Sequence, residues 1–143
     1  MKDFIETRIL GAVRELLNGR VNEIFADWEL LIPVVEFRSF ESRFVVAPIV
    51  TLSSCERTEK ERLIRLDAYV VSVTFSLEEH EDGELFCYAY TAAFTKALGE
   101  DVTLGGVADR AVITAKKYVP PKKPHCGEGW KVVIDLRVTT DAN

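Results

Sequence analysis

The stretch Leu63 to Leu77, LIRLDAYVVSVTFSL, is the most strand-like part of the chain and the one on which the fold depends. Branched and aromatic side chains dominate its second half and alternate with smaller or polar ones, as expected of a strand with one buried face. One alternating set contains Tyr69, Val71, Val73 and Phe75. We therefore predict a long strand that turns this set toward the core.

Helical periodicity occurs on both sides of this strand. From Asp3 to Leu17, apolar residues recur at helical spacing, and the pair Asn18–Gly19 that comes next is typical of a helix end. From Gly83 to Leu98, the sequence GELFCYAYTAAFTKAL forms a second helical stripe, which Gly99 should end. We predict two helices with these bounds.

The segments before the long strand are harder to assign. Ile24–Trp28 and Leu30–Val35 are apolar but interrupted, and Pro33 cannot donate to a strand ladder, so we expect an edge strand or an irregular packed segment. Phe44–Leu52, FVVAPIVTL, is predicted to be a strand. Ser53–Arg62 is polar and charged, which favours a loop or a hairpin tip.

The last third of the chain predicts a pair of strands, Asp109–Val119 and Gly129–Thr140, joined by the proline-rich loop Pro120–Glu128. Two helices and several strands form two layers around one core. We expect one α+β domain over residues 1–143, with a mostly antiparallel sheet of four to five strands and two helices packed on one face.

Composition limits the classes of function. The chain has 143 residues, is 48% hydrophobic and 29% charged, and carries a net charge of −5. These values are typical of a globular protein, and the acidic balance argues against broad nucleic-acid binding. No apolar run approaches the roughly 20 residues of a membrane span, and the acidic N-terminus is unlike a signal peptide. We expect no membrane association and synthesis in the cytosol.

Cysteines and histidines are few and scattered. Cys55, Cys87 and Cys126 are far apart without a CxxC pair, and the histidines are His80 and His125. This spacing predicts free thiols in a reducing compartment, with no metal site and no cofactor.

The double glycine in Thr103–Arg110, TLGGVADR, raises the question of a phosphate-binding loop. Such a loop needs a helix directly after its glycines, so that backbone amides point at the anion. Here the glycines come after a predicted helix and precede a predicted strand. We interpret Gly105–Gly106 as a turn.

The acidic run from Glu78 to Asp82 looks at first like a catalytic or calcium cluster. It lacks the acid spacing of a calcium loop, and acids are favoured where they precede a helix, so we expect Glu79, Glu81 and Asp82 to be solvated. No motif for nucleophilic or metal-assisted catalysis occurs, and no catalytic residue is predicted.

A basic set surrounds the predicted loop between the last strands. It consists of Lys116, Lys117, Lys122 and Lys123, with Tyr118 among them. These side chains could contact a nucleic-acid backbone, contact an acidic protein surface, or form an idle hairpin tip. We predict a subunit or partner interface at this set and at Glu79, Glu81 and Asp82.

The order of segments resembles the tail terminator (tail completion) proteins of long-tailed bacteriophages and prophages. The resemblance covers essentially the whole chain. Its most specific parts are the turn VTLGGVAD after the helix FCYAYTAAFTKALG and the closing strand GWKVVIDLRVTT. The region Val21–Phe40 is longer and more apolar than in that family, and the C-terminal extension of some members is nearly absent.

The resemblance implies a structural role rather than an enzymatic one. Such a protein would form a hexameric ring that caps the tail tube, stops its polymerisation and meets the head–tail connector proteins. DNA would pass through without specific binding. The expected location is the virion tail, with assembly in the bacterial cytoplasm.

Two other classes of function remain open from the residues alone. One is a small α+β ligand-binding protein or enzyme with a cavity between sheet and helices. The other is a nucleic-acid-binding adaptor that uses the basic loop. A hexamer in solution would distinguish the ring-forming protein from both.

Overall fold

A four-stranded antiparallel sheet organises the protein, for which a computed structural model describes residues 4–37, 45–60, 64–123 and 127–141. The strand order across the sheet is β3-β4-β6-β5. The strands are β3 (Ile49–Lys60), β4 (Ile64–Glu78), β5 (Arg110–Val119) and β6 (Glu128–Asp141). The predicted α+β fold with a mostly antiparallel sheet is confirmed.

The core lies on one face of this sheet. Tyr69, Val71, Val73 and Phe75 of β4 are all buried, as the alternation predicted. Each pairs with a buried residue of β6, as Val71 does with Leu136. The other face of the four strands stays open to solvent.

The helix α3 (Gly83–Glu100) covers the buried face and contacts β4, β5 and β6. It ends near the predicted position. Tyr90 is its largest fully buried side chain: the ring stacks on Phe75 at a centroid distance of 4.9 Å and meets Phe25 edge-on at 5.4 Å. Aromatic pairs at these distances stabilise the core beyond their buried area.

The predicted end of the first helix at Asn18–Gly19 is wrong. The helix α1 (Ile5–Leu16) continues through a π-helical segment, Leu17–Val21, into α2 (Asn22–Asp27). Leu17, Val21, Ile24 and Phe25 are all buried. The apolar stripe therefore continues past the glycine, and its burial outweighs the local preference of Asn18–Gly19 for a helix end.

The same helix shows why the assignment of Ile24–Trp28 to a strand or irregular segment is wrong. These residues lie in α2 and its end, which closes with a Schellman motif. The amide of Leu30 donates to the carbonyl of Phe25, and the amide of Glu29 donates to that of Ala26, both at 3.1 Å. Glu29 has φ of 56°, the left-handed conformation usually taken by glycine at this position.

Beyond α2 the chain is irregular, as predicted for the region around Pro33. Two short strands, β1 (Val34–Val35) and β2 (Val45–Val46), pair in parallel. The side chain of Asn22 fixes this pair to the helix: its amide donates to the Val35 carbonyl at 2.7 Å and its oxygen accepts the Val35 amide at 2.8 Å.

Of the two expectations for Ser53–Arg62, the loop is wrong over the described residues, because β3 continues to Lys60, whereas the hairpin agrees with the antiparallel pairing of β3 with β4. Every described side chain from Ser53 to Glu59 is exposed, which gives the segment the composition of a loop. Its backbone nevertheless pairs with β4, and Arg57 makes a two-pronged ion pair with Asp67 opposite, at 2.7 and 3.0 Å. Backbone pairing, not burial, keeps this hairpin extended.

Both edge strands of the sheet carry a β-bulge. In β3 the extra residue is Ser53, and in β5 it is Thr114. The two bulges flank the same transverse row, in which Leu52, Val71, Leu136 and Ile113 are paired across the sheet. Bulges bend the strand that carries them and increase its local twist.

Candidate functional site: the charged end of the sheet

The predicted charged segments leave the sheet at one end. There β4 stops at Glu78, which pairs with Glu128 at the start of β6, while β5 stops at Val119, which pairs with Lys131. Since β6 separates β4 from β5, the two strands lie roughly 10 Å apart across the sheet, or two strand spacings. The acidic run Glu78–Asp82 thus lies on the β4 side and the basic loop on the β5 side.

The acidic run is exposed, as predicted. Glu79, Glu81 and Asp82 all face solvent before the first turn of α3. His80 folds back within the run: its Nδ1 accepts the Asp82 amide at 2.9 Å, and its ring lies 4.8 Å from that of Phe86. The histidine therefore has a local structural role and joins the run to the apolar side of the molecule.

The basic set does not form one patch. Lys116 and Tyr118 pair with the buried Ile134 and Val132, so they lie on the helix side of the sheet, whereas Lys117 pairs with Val133 on the open face. The ring of Tyr118 packs edge-on against Tyr88 of α3 at 5.3 Å.

The bulge at Thr114 decides which face of the sheet each member of the basic set takes. Val112 lies on the open face, and strict alternation would have kept Lys116 and Tyr118 with it. The extra residue shifts them to the helix side. Lys122 and Lys123 lie beyond the strand and are exposed.

The two charged segments are connected within the chain. The amide of Gly127, at the end of the basic loop, donates to Oε2 of Glu79 at 3.1 Å. Gly129 lies beside it in β6, where a Cβ atom would overlap the carbonyl groups of Leu77 and Glu78. Glycine at this position lets β6 approach the irregular end of β4 closely.

A groove of about 910 Å³ opens next to the acidic run, between α2, the segment Leu30–Val34 and the end of β4. Its lining is mainly apolar and includes Phe25, Leu30, Leu31, Ile32, Pro33, Val34, Leu77 and Phe86. Glu78, Glu79 and His80 form its polar rim. Sequence reasoning missed this groove because it is formed by α2 and the segment after it, whose structure was assigned wrongly.

The walls of the groove are held by specific contacts. The hydroxyl of Tyr90 donates to the carbonyl of Pro33, and the Asn22 amide holds Val35. By contrast, Leu31 points into solvent and is 97% exposed, while Leu30 is 40% exposed. The groove thus has a rigid base and an exposed apolar rim.

The glycine turn is already satisfied within the chain. Leu104, Gly105 and Gly106 have φ of 52°, 68° and 89°, all in the left-handed region. The carboxylate of Asp101 accepts the Gly105 amide at 3.0 Å, and Thr103 accepts that of Gly106 through its carbonyl at 3.1 Å. The amides of both glycines are therefore bonded to acceptors of the chain itself.

The thiols and histidines were predicted to hold no metal. Cys87 is buried in α3, and burial raises the pKa of its thiol to about 11, so it stays protonated at neutral pH. Cys55 is exposed on β3. His125 and Cys126 lie outside the described residues. Within the described ranges, no three His, Cys, Asp or Glu side chains converge on a metal position.

Comparison with known proteins adds no assignment. No protein-family model matches the chain, and no curated protein matches it significantly. None of the described helices is long and apolar enough to cross a membrane.

Proposed function

We propose that this protein is a structural, tail terminator-like component of a long-tailed bacteriophage or prophage. It forms a hexameric ring that caps the tail tube, stops tube polymerisation and joins the tail to the head–tail connector. The observation that carries the proposal is the separation of opposite charges at one end of the sheet, with the acidic run on the β4 side and the lysines on the β5 side.

Opposite charges on two different sides of one molecule favour head-to-tail contacts. A copy that presents Lys122 and Lys123 on one side meets Glu79, Glu81 and Asp82 of the next copy on the other. Contacts between non-identical surfaces close into a ring when the rotation between neighbours permits. The number six comes from the resemblance to tail terminator proteins.

The remaining features agree with a role at the tail. A net charge of −5 suits a channel through which DNA passes without specific binding. The partners in this proposal are the tail tube protein and the head–tail connector proteins. The protein is then located in the virion tail and assembled in the bacterial cytoplasm, without a catalytic role.

The decisive experiment is native mass spectrometry combined with sedimentation at several protein concentrations. We expect a hexamer whose share of the total protein increases with protein concentration. In a second assay, addition of the protein to polymerising tail tube protein should stop growth of the tubes. A monomer at every concentration, with tubes that keep growing, would contradict the proposal.

Charge reversal tests the contact itself. The double variant Lys122→Glu/Lys123→Glu should keep the fold, because both side chains are exposed, and should slow ring formation most at low salt. The matched control is Lys96→Glu, an exposed lysine on α3 away from the loop. Equal assembly rates for the double variant and the wild type would show that the loop is not part of the interface.

The groove favours a second candidate, an α+β protein that binds a small apolar ligand. Its volume of about 910 Å³ falls in the range of ligand pockets. A monomer whose thermal stability rises with an apolar ligand, and whose Leu77→Lys variant loses that rise, would favour this candidate over the ring.

A further inference from the structure

We infer that the groove is the docking site for the proline-rich basic segment, residues 119–124 (VPPKKP), of a second copy of this chain. The inference rests on the proposed ring and assigns the contact that joins neighbouring copies. It differs from the simple charge pairing above, because the apolar groove rather than the acidic run alone receives the segment.

The shape of the groove favours a protein segment over a small molecule. A small ligand could fill the base between Phe25 and Phe86, but it would leave the exposed rim in water. Leu31 is 97% exposed, so only a partner that covers the rim removes this side chain from solvent. Burying such apolar area is the main favourable contribution to association.

The charge of the groove selects a basic partner. Glu78 and Glu79 lie at its rim, and among the described lining residues there is no lysine or arginine. The rim therefore attracts cationic groups that approach the apolar base. The aromatic rings of Phe25, Phe86 and His80 in the lining give it the composition of grooves that bind proline-rich peptides.

The segment 119–124 has the matching chemistry. Pro120 and Pro121 fix φ near −65° and restrict the residues before them to extended backbone, so the start of the segment is preorganised, and the described chain then bends at Lys122–Lys123. This lowers the entropy lost on docking. Lys122 and Lys123 are exposed and supply the positive charge.

Within one copy, the described contact between the loop and the groove rim is the bond from the Gly127 amide to Glu79, which leaves the apolar lining open to a segment of another copy. None of the described residues of the segment lines the groove of its own chain. The segment leaves β5, and the groove lies on the opposite side of β6, next to the end of β4. Each copy can therefore give its segment to one neighbour and receive that of another, as a head-to-tail ring needs.

The first test compares two exposed apolar positions by sedimentation over a concentration series. Leu31→Lys places a positive charge at the rim, and we expect it to raise the concentration at which half of the protein is assembled by about tenfold or more. Ile49→Lys is the control, because Ile49 is 59% exposed on the open face of the sheet. It should shift that concentration less than about twofold.

A charge exchange tests the direction of the contact. Glu78→Lys alone and Lys122→Glu alone should each weaken assembly, and the double variant should regain much of the wild-type affinity, because opposite charges again face each other between copies. Additive losses in the double variant would contradict pairing of these two residues.

Binding of a fluorescent peptide with the sequence of residues 117–125 (KYVPPKKPH) to the full chain tests recognition directly. We expect saturable binding that competes with assembly and is lost in Leu31→Lys but not in Ile49→Lys. If the wild type assembles and Leu31→Lys assembles equally well, the groove is not the interface, whereas the proposal of a ring still stands. If the wild type stays monomeric, the proposed ring fails, and absence of peptide binding then overturns the groove assignment as well.

Discussion

The N-terminal helical run continues through Asn18–Gly19, where the sequence predicts its end. It ends instead at Trp28–Glu29, where the sequence contains no typical helix-ending residue. At Asn18–Gly19 the chain continues as a π-helical segment. At Trp28–Glu29 it stops in a Schellman motif with a glutamate, not a glycine, in the left-handed position. The two positions differ in the residues that come next. Buried Val21, Ile24 and Phe25 come after Asn18–Gly19, whereas exposed residues come after Trp28–Glu29.

This comparison teaches that burial beyond a possible helix end decides whether the helix ends there. Local preferences of asparagine and glycine amount to about 1 kcal/mol, whereas one fully buried aliphatic or aromatic side chain contributes about 1.5–3 kcal/mol. Several such side chains outweigh the stop signal. Four substitutions at and around Asn18–Gly19 and Trp28–Glu29 test this explanation, in order of decreasing change in stability.

Leu17→Ala should have the largest effect. Leu17 is fully buried at the start of the π-helical segment, and its truncation removes apolar contacts and leaves a cavity. We expect a loss of about 2–5 kcal/mol in the free energy of unfolding, measured by urea denaturation. Leu16→Ala, at the half-buried neighbouring position, should cost clearly less. Equal losses would mean that burial at Leu17 is not what carries the helix past Asn18–Gly19.

Tyr90→Phe tests whether the Tyr90 hydroxyl anchors the segment after the helix end at Trp28–Glu29. The variant keeps the stacked ring but leaves the carbonyl of Pro33 without the donor from Tyr90. We expect a loss of about 1–2 kcal/mol and faster amide hydrogen exchange in residues 30–35. Tyr88→Phe, whose exposed hydroxyl bonds Glu84, serves as the control and should change little. Unchanged exchange in residues 30–35 would contradict the anchoring role of the Tyr90 hydroxyl.

Gly19→Ala should stabilise the protein. Apart from the neighbouring residues and the backbone of its own helix, no atom lies within 4 Å of the position of a new Cβ, and Gly19 is not among the residues with positive φ. Alanine loses less backbone entropy on folding, so we expect a gain of about 0.5–1 kcal/mol. Gly11→Ala is matched, because Gly11 lies in regular α-helix with the same free space. A loss at Gly19 together with a gain at Gly11 would show that the π-helical segment needs glycine.

Glu29→Gly should have the smallest effect, a gain of a few tenths to about 1 kcal/mol. Glycine adopts the left-handed conformation without the steric cost borne by Glu29, and the amide bonds of the Schellman motif remain. Glu15→Gly, in the interior of the helical run, should instead lose about 1 kcal/mol. If both substitutions destabilise equally, the conformation of Glu29 carries no strain.

The elements with a strong internal period were predictable from the sequence. The strand β4 shows its buried set directly, and the strands β5 and β6 and the helix α3 lie near their predicted bounds. Ser53–Lys60 was not predictable as a strand, because its described side chains through Glu59 are exposed and only backbone pairing defines it.

The candidate site was predictable only in part. Exposure of Glu79, Glu81 and Asp82 could be expected from their charge. The face of the sheet that Lys116, Lys117 and Tyr118 each take depends on a bulge at Thr114, which no residue type marks. The groove depends on where α2 ends and on the Asn22 amide, both of which are tertiary features.

The paired bulges at Ser53 and Thr114 have a consequence for how the protein avoids aggregation. A foreign strand that adds to β3 or to β5 can match the hydrogen-bonding groups only on one side of the extra residue, and it loses register beyond it. Lys116 and Lys117 on β5 add an electrostatic penalty for a second identical edge. Sheets of two copies therefore do not merge easily into a continuous one, and the copies are left to recognise each other through side chains and loops.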